Sequence, residues 1–152
     1  MDKILLPILN VIFLSGLAIS GGMVSADDNG TVTYSTSSQK ITITGCVNSC
    51  PVILTVPDSI DSFPVTSIGS GAFQDESGLA VINLPDSLLS IGVSAFYRSG
   101  IRSLDIPDTV TSIGNSAFRD SDLTSITLPD GLTSISNSLF QGASELTEID
   151  IP

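Results

Sequence analysis

The chain has 152 residues, of which 14% are charged and 5% aromatic, with no Trp, no His and 16 acidic against 5 basic residues for a net charge of −11. That length holds one ordinary domain, and the charge content lies well below the roughly 25% typical of soluble chains. Without His there is no Ser-His-Asp or Cys-His nucleophile and no imidazole acid, base or metal ligand, and so acidic a chain without a Lys/Arg cluster repels phosphate backbones, which excludes nucleic acid as an expected partner.

At the N-terminus, Lys3 precedes an apolar run over residues 4–19, followed by the small residues Ser20, Gly21 and Gly22 and then by Val24-Ser25-Ala26. This is the pattern of a secretory signal peptide over residues 1–26, cut after Ala26. An uncleaved anchor is the alternative, because the run extended to Val24 approaches the ~20 residues that cross a bilayer. Pro7, Asn10, the glycine pair and the cleavage-like tripeptide favour removal. Losing the leader takes away Asp2 and Lys3 alone among charged residues, so the net charge stays at −11. The expected location is secreted or cell surface, with membrane contact only through the leader if it is retained.

Residues 27–52 follow as an expected cap. Residues 31–35 and 40–45, joined by the polar stretch 36–39, predict a β-hairpin that covers the open end of what comes next. Cys46 and Cys50 are the only cysteines, and export favours their oxidation to a disulfide. Free or intermolecular thiols are the alternative. Two thiolates with neither His nor a second Cys pair do not complete a tetrahedral zinc shell, and C-x3-C with no helix start after it is a poor redox dithiol.

From residue 53 onward the sequence repeats itself. An apolar-Pro pair recurs at Val56-Pro57, Leu84-Pro85, Ile106-Pro107, Leu128-Pro129 and Ile151-Pro152, with spacings of 28, 22, 22 and 23. A fixed period in the low twenties signals stacked coils, each burying its apolar face on its neighbours. Before each of the last four prolines stands an L-x-x-L-x-L pattern: Leu79/Ile82/Leu84, Ile101/Leu104/Ile106, Leu123/Ile126/Leu128 and Leu146/Ile149/Ile151. Period-two apolar spacing predicts a short strand, ended by a proline that has no N–H for the ladder. A second buried face is expected from Val65/Ile68, Leu88/Ile91, Val110/Ile113 and Leu132/Ile135. Gly69, Gly92 and Gly114 follow it, where they are expected to supply turns with unusual backbone angles; Ser136 takes that place in the last unit. Phe73, Phe96, Phe118 and Phe140 put four of the six Phe at one repeat position, which fits a core column better than a ligand platform.

These units, with the pattern LPDSLxSIGxSAF and LTSIxLP, resemble the leucine-rich repeat of the BspA type, known from surface proteins of bacteria and some parasitic protists. The resemblance covers residues 53–152. It implies a mainly β, right-handed leucine-rich-repeat solenoid, here of about four coils of 22–28 residues with the N-terminal hairpin as cap. It also implies a non-enzymatic role in adhesion or protein recognition, brings no catalytic residues and implies no cofactor. The Cys46–Cys50 loop, Ser136, and Leu139 in place of Ala depart from the pattern.

The candidate binding residues follow from the strand pattern. The positions flanking the second apolar residue of each strand point away from the core, and these are Val81, Asn83, Ser103, Asp105, Ser125, Thr127, Glu148 and Asp150. The expected partner is a protein or glycan at a cell or matrix surface. Asp58, Asp86, Asp108 and Asp130 form a second column, read as turn-capping groups with a bridging cation as the rival. No metal site is assigned, and no acid pair is singled out for hydrolysis. The sequence stops at Pro152 without a capping pattern, so truncation is expected. A structural spacer that self-associates through the C-terminal strand edge is the alternative role.

Overall fold

A computed structural model describes Ser25–Ala26 and residues 30–151; the leader assigned to residues 1–26 falls outside the described residues apart from those two. The architecture is an all-β solenoid. The hairpin is formed by β2 (Val32–Ser37) and β3 (Lys40–Cys46), paired antiparallel, with β1 (Ser25–Ala26) antiparallel on the outside of β2. Its turn is Ser38-Gln39 with φ of 50° and 60°, the two left-handed positions that a tight two-residue hairpin turn requires.

Each coil then contributes to two parallel rows of strands. The first row is β4 (Ile53–Thr55), β7 (Val81–Asn83), β9 (Ser103–Asp105), β11 (Ser125–Thr127) and β12 (Glu148–Asp150). Ladders run between β4 and β7 and through β9, β11 and β12, while between β7 and β9 the Arg102 N–H reaches the Ala80 carbonyl at 3.3 Å. Five turns are present, where about four were expected. The extra strand is β4, whose segment has Pro51 where the later strands carry an apolar residue.

The second row is β6 (Phe63–Ile68), β8 (Ser90–Ile91) and β10 (Ser112–Ile113), and the cap joins it because β3 pairs parallel with β6. The additional residues of the first unit are accounted for by β5 (Ser59–Ile60), which folds back on β6 through Asp61 and Ser62 at φ 52° and 68°. A third side is made of turns stacked by inter-coil hydrogen bonds, such as Phe73 N–H to Ala95 C=O at 2.8 Å and Phe96 N–H to Ala117 C=O at 2.8 Å.

The core lies between these sides. Phe73, Phe96 and Phe118 are fully buried and stack with Phe140 at centroid separations of 5.3, 5.4 and 5.8 Å. Side-chain hydroxyls complete the stitching, with Thr124 Oγ1 donating to the Arg102 carbonyl at 2.9 Å and Ser90 Oγ to Ser67 Oγ at 2.9 Å. Hydroxyls bond across coils without the desolvation penalty of a charge, which is how a chain with so few charged residues holds its polar edges together.

Two expectations are corrected here. Gly69, Gly92 and Gly114 do not have positive φ; the left-handed residues lie two positions later, at Gly71 (65°), Ser94 (54°), Ser116 (57°) and Ser138 (56°). The glycines are required by close approach instead. A Cβ on Gly92 would sit 2.5 Å from Ser70 N, and one on Gly114 would sit 2.5 Å from Val93 N.

Ile135 was assigned to the buried second face, yet it is 55% exposed, and the second row ends at β10. The last coil is attached on its other two sides, through β12 on β11 and through Phe118 N–H to Leu139 C=O at 3.1 Å. Only the side carrying Ser136 stands off. Ser136 has a Cβ where the other coils have none, and its hydroxyl, in place of a main-chain N–H, bonds the Ile113 carbonyl.

Candidate functional site

The strand periodicity that buries Leu54, Ile82, Leu104 and Ile126 turns the residues on either side of each outward. The register sets them in two columns across the first row: Val81, Ser103, Ser125 and Glu148 in one, and Asn83, Asp105, Thr127 and Asp150 in the other. All eight sequence-assigned residues therefore share one face; seven are exposed and Ser125 is half-buried.

Sequence reasoning missed the first member of each column. Ile53 pairs with Val81 and Thr55 with Asn83, and the Asn83 Nδ2 amide donates to Thr55 Oγ1 at 2.9 Å. The signal was present, since Leu54 and Val56 alternate ahead of Pro57 as in the later units, but Pro51 interrupts the longer pattern.

At the C-terminal end of this face lies a shallow depression of about 320 Å³, lined by Ser103, Asp105, Ser125, Thr127, Glu148 and Asp150. Its three carboxylates and three hydroxyls offer hydrogen-bond acceptors and exchangeable donors. The depression is open to water, and its acids are exposed. Val81 and Ile53, 38% and 63% exposed, make the opposite end of the face apolar. The surface thus grades from aliphatic to acidic along the solenoid axis.

The other singled-out residues fall elsewhere. Asp58, Asp86, Asp108 and Asp130 are all exposed; the main-chain carbonyls of Asp58 and Asp86 accept the hydroxyls of Ser87 at 3.2 Å and Thr109 at 2.9 Å from the following coils. No cluster of three potential metal-ligating side chains occurs among the described residues. Cys46 and Cys50 are joined as a disulfide with Cα atoms 5.2 Å apart, where the cap passes into the first coil. No helix among the described residues is long and apolar enough to cross a membrane.

Solved structures share this fold. The chain superposes on a leucine-rich cell surface protein from Faecalibacterium prausnitzii with a TM-score of 0.64 at 23% identity, covering 87% of this chain and 43% of that one. A leucine-rich repeat protein from Bacteroides capillosus gives 0.60 at 22% identity over 80% of this chain and 94% of that one. The pneumococcal vaccine antigen PcpA gives 0.60 at 22% identity over 85% of this chain and 38% of that one. The chain therefore spans less than half the length of the first and third of these. No protein with a curated description matches significantly. The sequence profile of the BspA type leucine-rich repeat region matches in six copies across residues 54–152. With repeats, stacked coils and profile in agreement over two thirds of its length, this chain is a member of the BspA-type leucine-rich repeat family.

Proposed function

We propose that the protein is an exported, non-enzymatic binding module that engages a protein or glycan at a cell or matrix surface through the first-row sheet face. The observation that carries this is the register: five strands present two columns of outward side chains on one continuous surface, and none of those outward residues is needed by the core. Such a face varies freely on a fixed scaffold, the property that suits solenoids to recognition. The surface location of the similar F. prausnitzii protein and the leader-like N-terminus support export, with residues 1–26 as signal peptide, 27–52 as cap and Cys loop, and 53–152 as solenoid. The absence of His and of any shielded acid pair on the face supports a role without catalysis.

The test is retention by immobilised extracellular-matrix components, host cell surfaces and glycan arrays, against a charge-matched control protein. A variant with Asp105→Lys, Thr127→Lys and Asp150→Lys should keep its circular dichroism spectrum and lose retention. Retention unchanged in that variant would remove the sheet face from the proposal, and no retention on any component would remove the binding role.

A further inference from the structure

Among the described residues, the cap covers only one of the two strand rows. β3 extends the second row by pairing with β6, whereas β4, the first strand of the other row, pairs with β7 alone among the described strands. Which main-chain groups are left over follows from the ladder. Val52 C=O accepts from the Val81 N–H at 3.0 Å, and Val56 N–H donates to the Asn83 carbonyl at 3.0 Å. Main-chain groups alternate sides along a strand, so the N–H and C=O groups of Ile53 and Thr55 face away from β7. Ile53, Leu54 and Thr55 line a groove of about 580 Å³ together with Thr31, Val47 and Cys50.

We propose that this groove is a strand-acceptor site, in which an extended segment of a partner protein adds to the outer edge of β4. The site continues an existing ladder, and that ladder specifies the occupant. A strand in this place sets its central side chain beside Leu54, which is 1% exposed, so the central residue is aliphatic. Its neighbours lie beside Ile53 and Thr55 on the outer surface, where β7 offers Val81 and Asn83, so one is aliphatic and the other carries a hydroxyl or amide. No basic side chain lines the groove, Asp58 is exposed just past it, Glu76 Oε2 accepts the Cys50 N–H at 3.1 Å, and the chain carries −11 overall. The segment is therefore flanked by Lys or Arg and not by acids. Main-chain pairing supplies the affinity, and alternate side chains supply the specificity.

The experiment uses the full chain and a fluorescein-labelled peptide, Lys-Leu-Thr-Val-Ile-Thr-Leu-Lys, whose Val-Ile-Thr centre matches Ile53, Leu54 and Thr55, with a second peptide in which both lysines are glutamates. The lysine peptide is expected to bind and to slow amide exchange at Ile53 and Thr55 by about tenfold or more, and the glutamate peptide to bind about tenfold more weakly. Ile53→Pro removes an outward N–H and leaves the bonds at Val52 and Val56 in place, so it should weaken binding about tenfold or more. Ile53→Thr loses the aliphatic side chain but keeps that N–H, and should change affinity far less. Slow exchange at Ile53 and Thr55 before any peptide is added would show that the chain's own residues fill the groove and would overturn the proposal. So would equal binding to a folded Ile53→Pro variant, or no binding by the unmodified chain.

Discussion

Gly92 and Gly114 show how a single missing atom sets the distance between coils. Each lies where the main chains of successive coils touch, and a Cβ at either position would fall 2.5 Å from a backbone nitrogen of the coil before it. Backbone does not yield as a flexible side chain does, so Gly92→Ala is expected to cost on the order of 2–3 kcal/mol, as overpacking of a dense interior does. Gly78→Ala is the matched control: nothing lies within 4 Å of its added Cβ, and the change should stay within about 0.5 kcal/mol. Urea unfolding of the two variants separates these outcomes; equal effects would refute the close-approach explanation. The left-handed conformation, by contrast, is carried at Ser94, Ser116 and Ser138 by residues with an ordinary side chain.

At the scale of one coil, the Phe column and the last unit behave differently for the same reason, the presence or absence of a neighbour at contact distance. Phe96 is sandwiched between Phe73 and Phe118 and fully buried, so Phe96→Ala is expected to cost about 3–5 kcal/mol. Phe140 is half-buried and stacks on Phe118 alone, and its truncation should cost distinctly less in the same unfolding measurement. In the last coil, Ser136→Gly restores the glycine that the other coils carry at this place. The expected result is a second row extended by a strand near Ile135, seen as slowed amide exchange at residues 135 and 136 and a gain of about 1 kcal/mol. Unchanged exchange would place the cause of the stand-off in Leu139, which is 3% exposed where the other coils carry Ala.

For the molecule as a whole, stability is close to a sum of coil terms and nearest-neighbour interfaces, and the disulfide is one local addition to that sum. Its loop of five residues corresponds to roughly 2 kcal/mol of chain entropy. Replacing Cys46 and Cys50 together by Ser should lower stability by about that amount and leave a folded, cooperatively unfolding protein, with denaturant melts and circular dichroism as the check. Complete loss of structure would show that the cap depends on the bridge. The cap itself is tied to the first coil without it, through β3 on β6 and through Tyr34 Oη donating to Asp61 Oδ2 at 3.1 Å.

Much of this architecture was legible in the chain itself. Recurring apolar-Pro pairs and the L-x-x-L-x-L spacing give the strands, their inward faces and the eight outward residues of the sheet, because period-two patterning fixes which side of a strand meets water. The Phe positions give the core column, since only a repeated environment repeats a residue at a fixed interval. What the repeat pattern does not carry is the distance between non-adjacent stretches of chain. The glycines mark contacts between coils more than twenty residues apart, and sequence alone gave them the local explanation of a turn. Ile135 is exposed because, among the described residues, no strand of the last coil pairs with β10, although the residue keeps its place in the apolar pattern. Among the described residues, the outer edge of β4 has no neighbouring strand because the cap pairs with the other row. Periodicity determined the elements and their faces; tertiary contact alone decided how closely the coils stack and which strand edges are left free to pair.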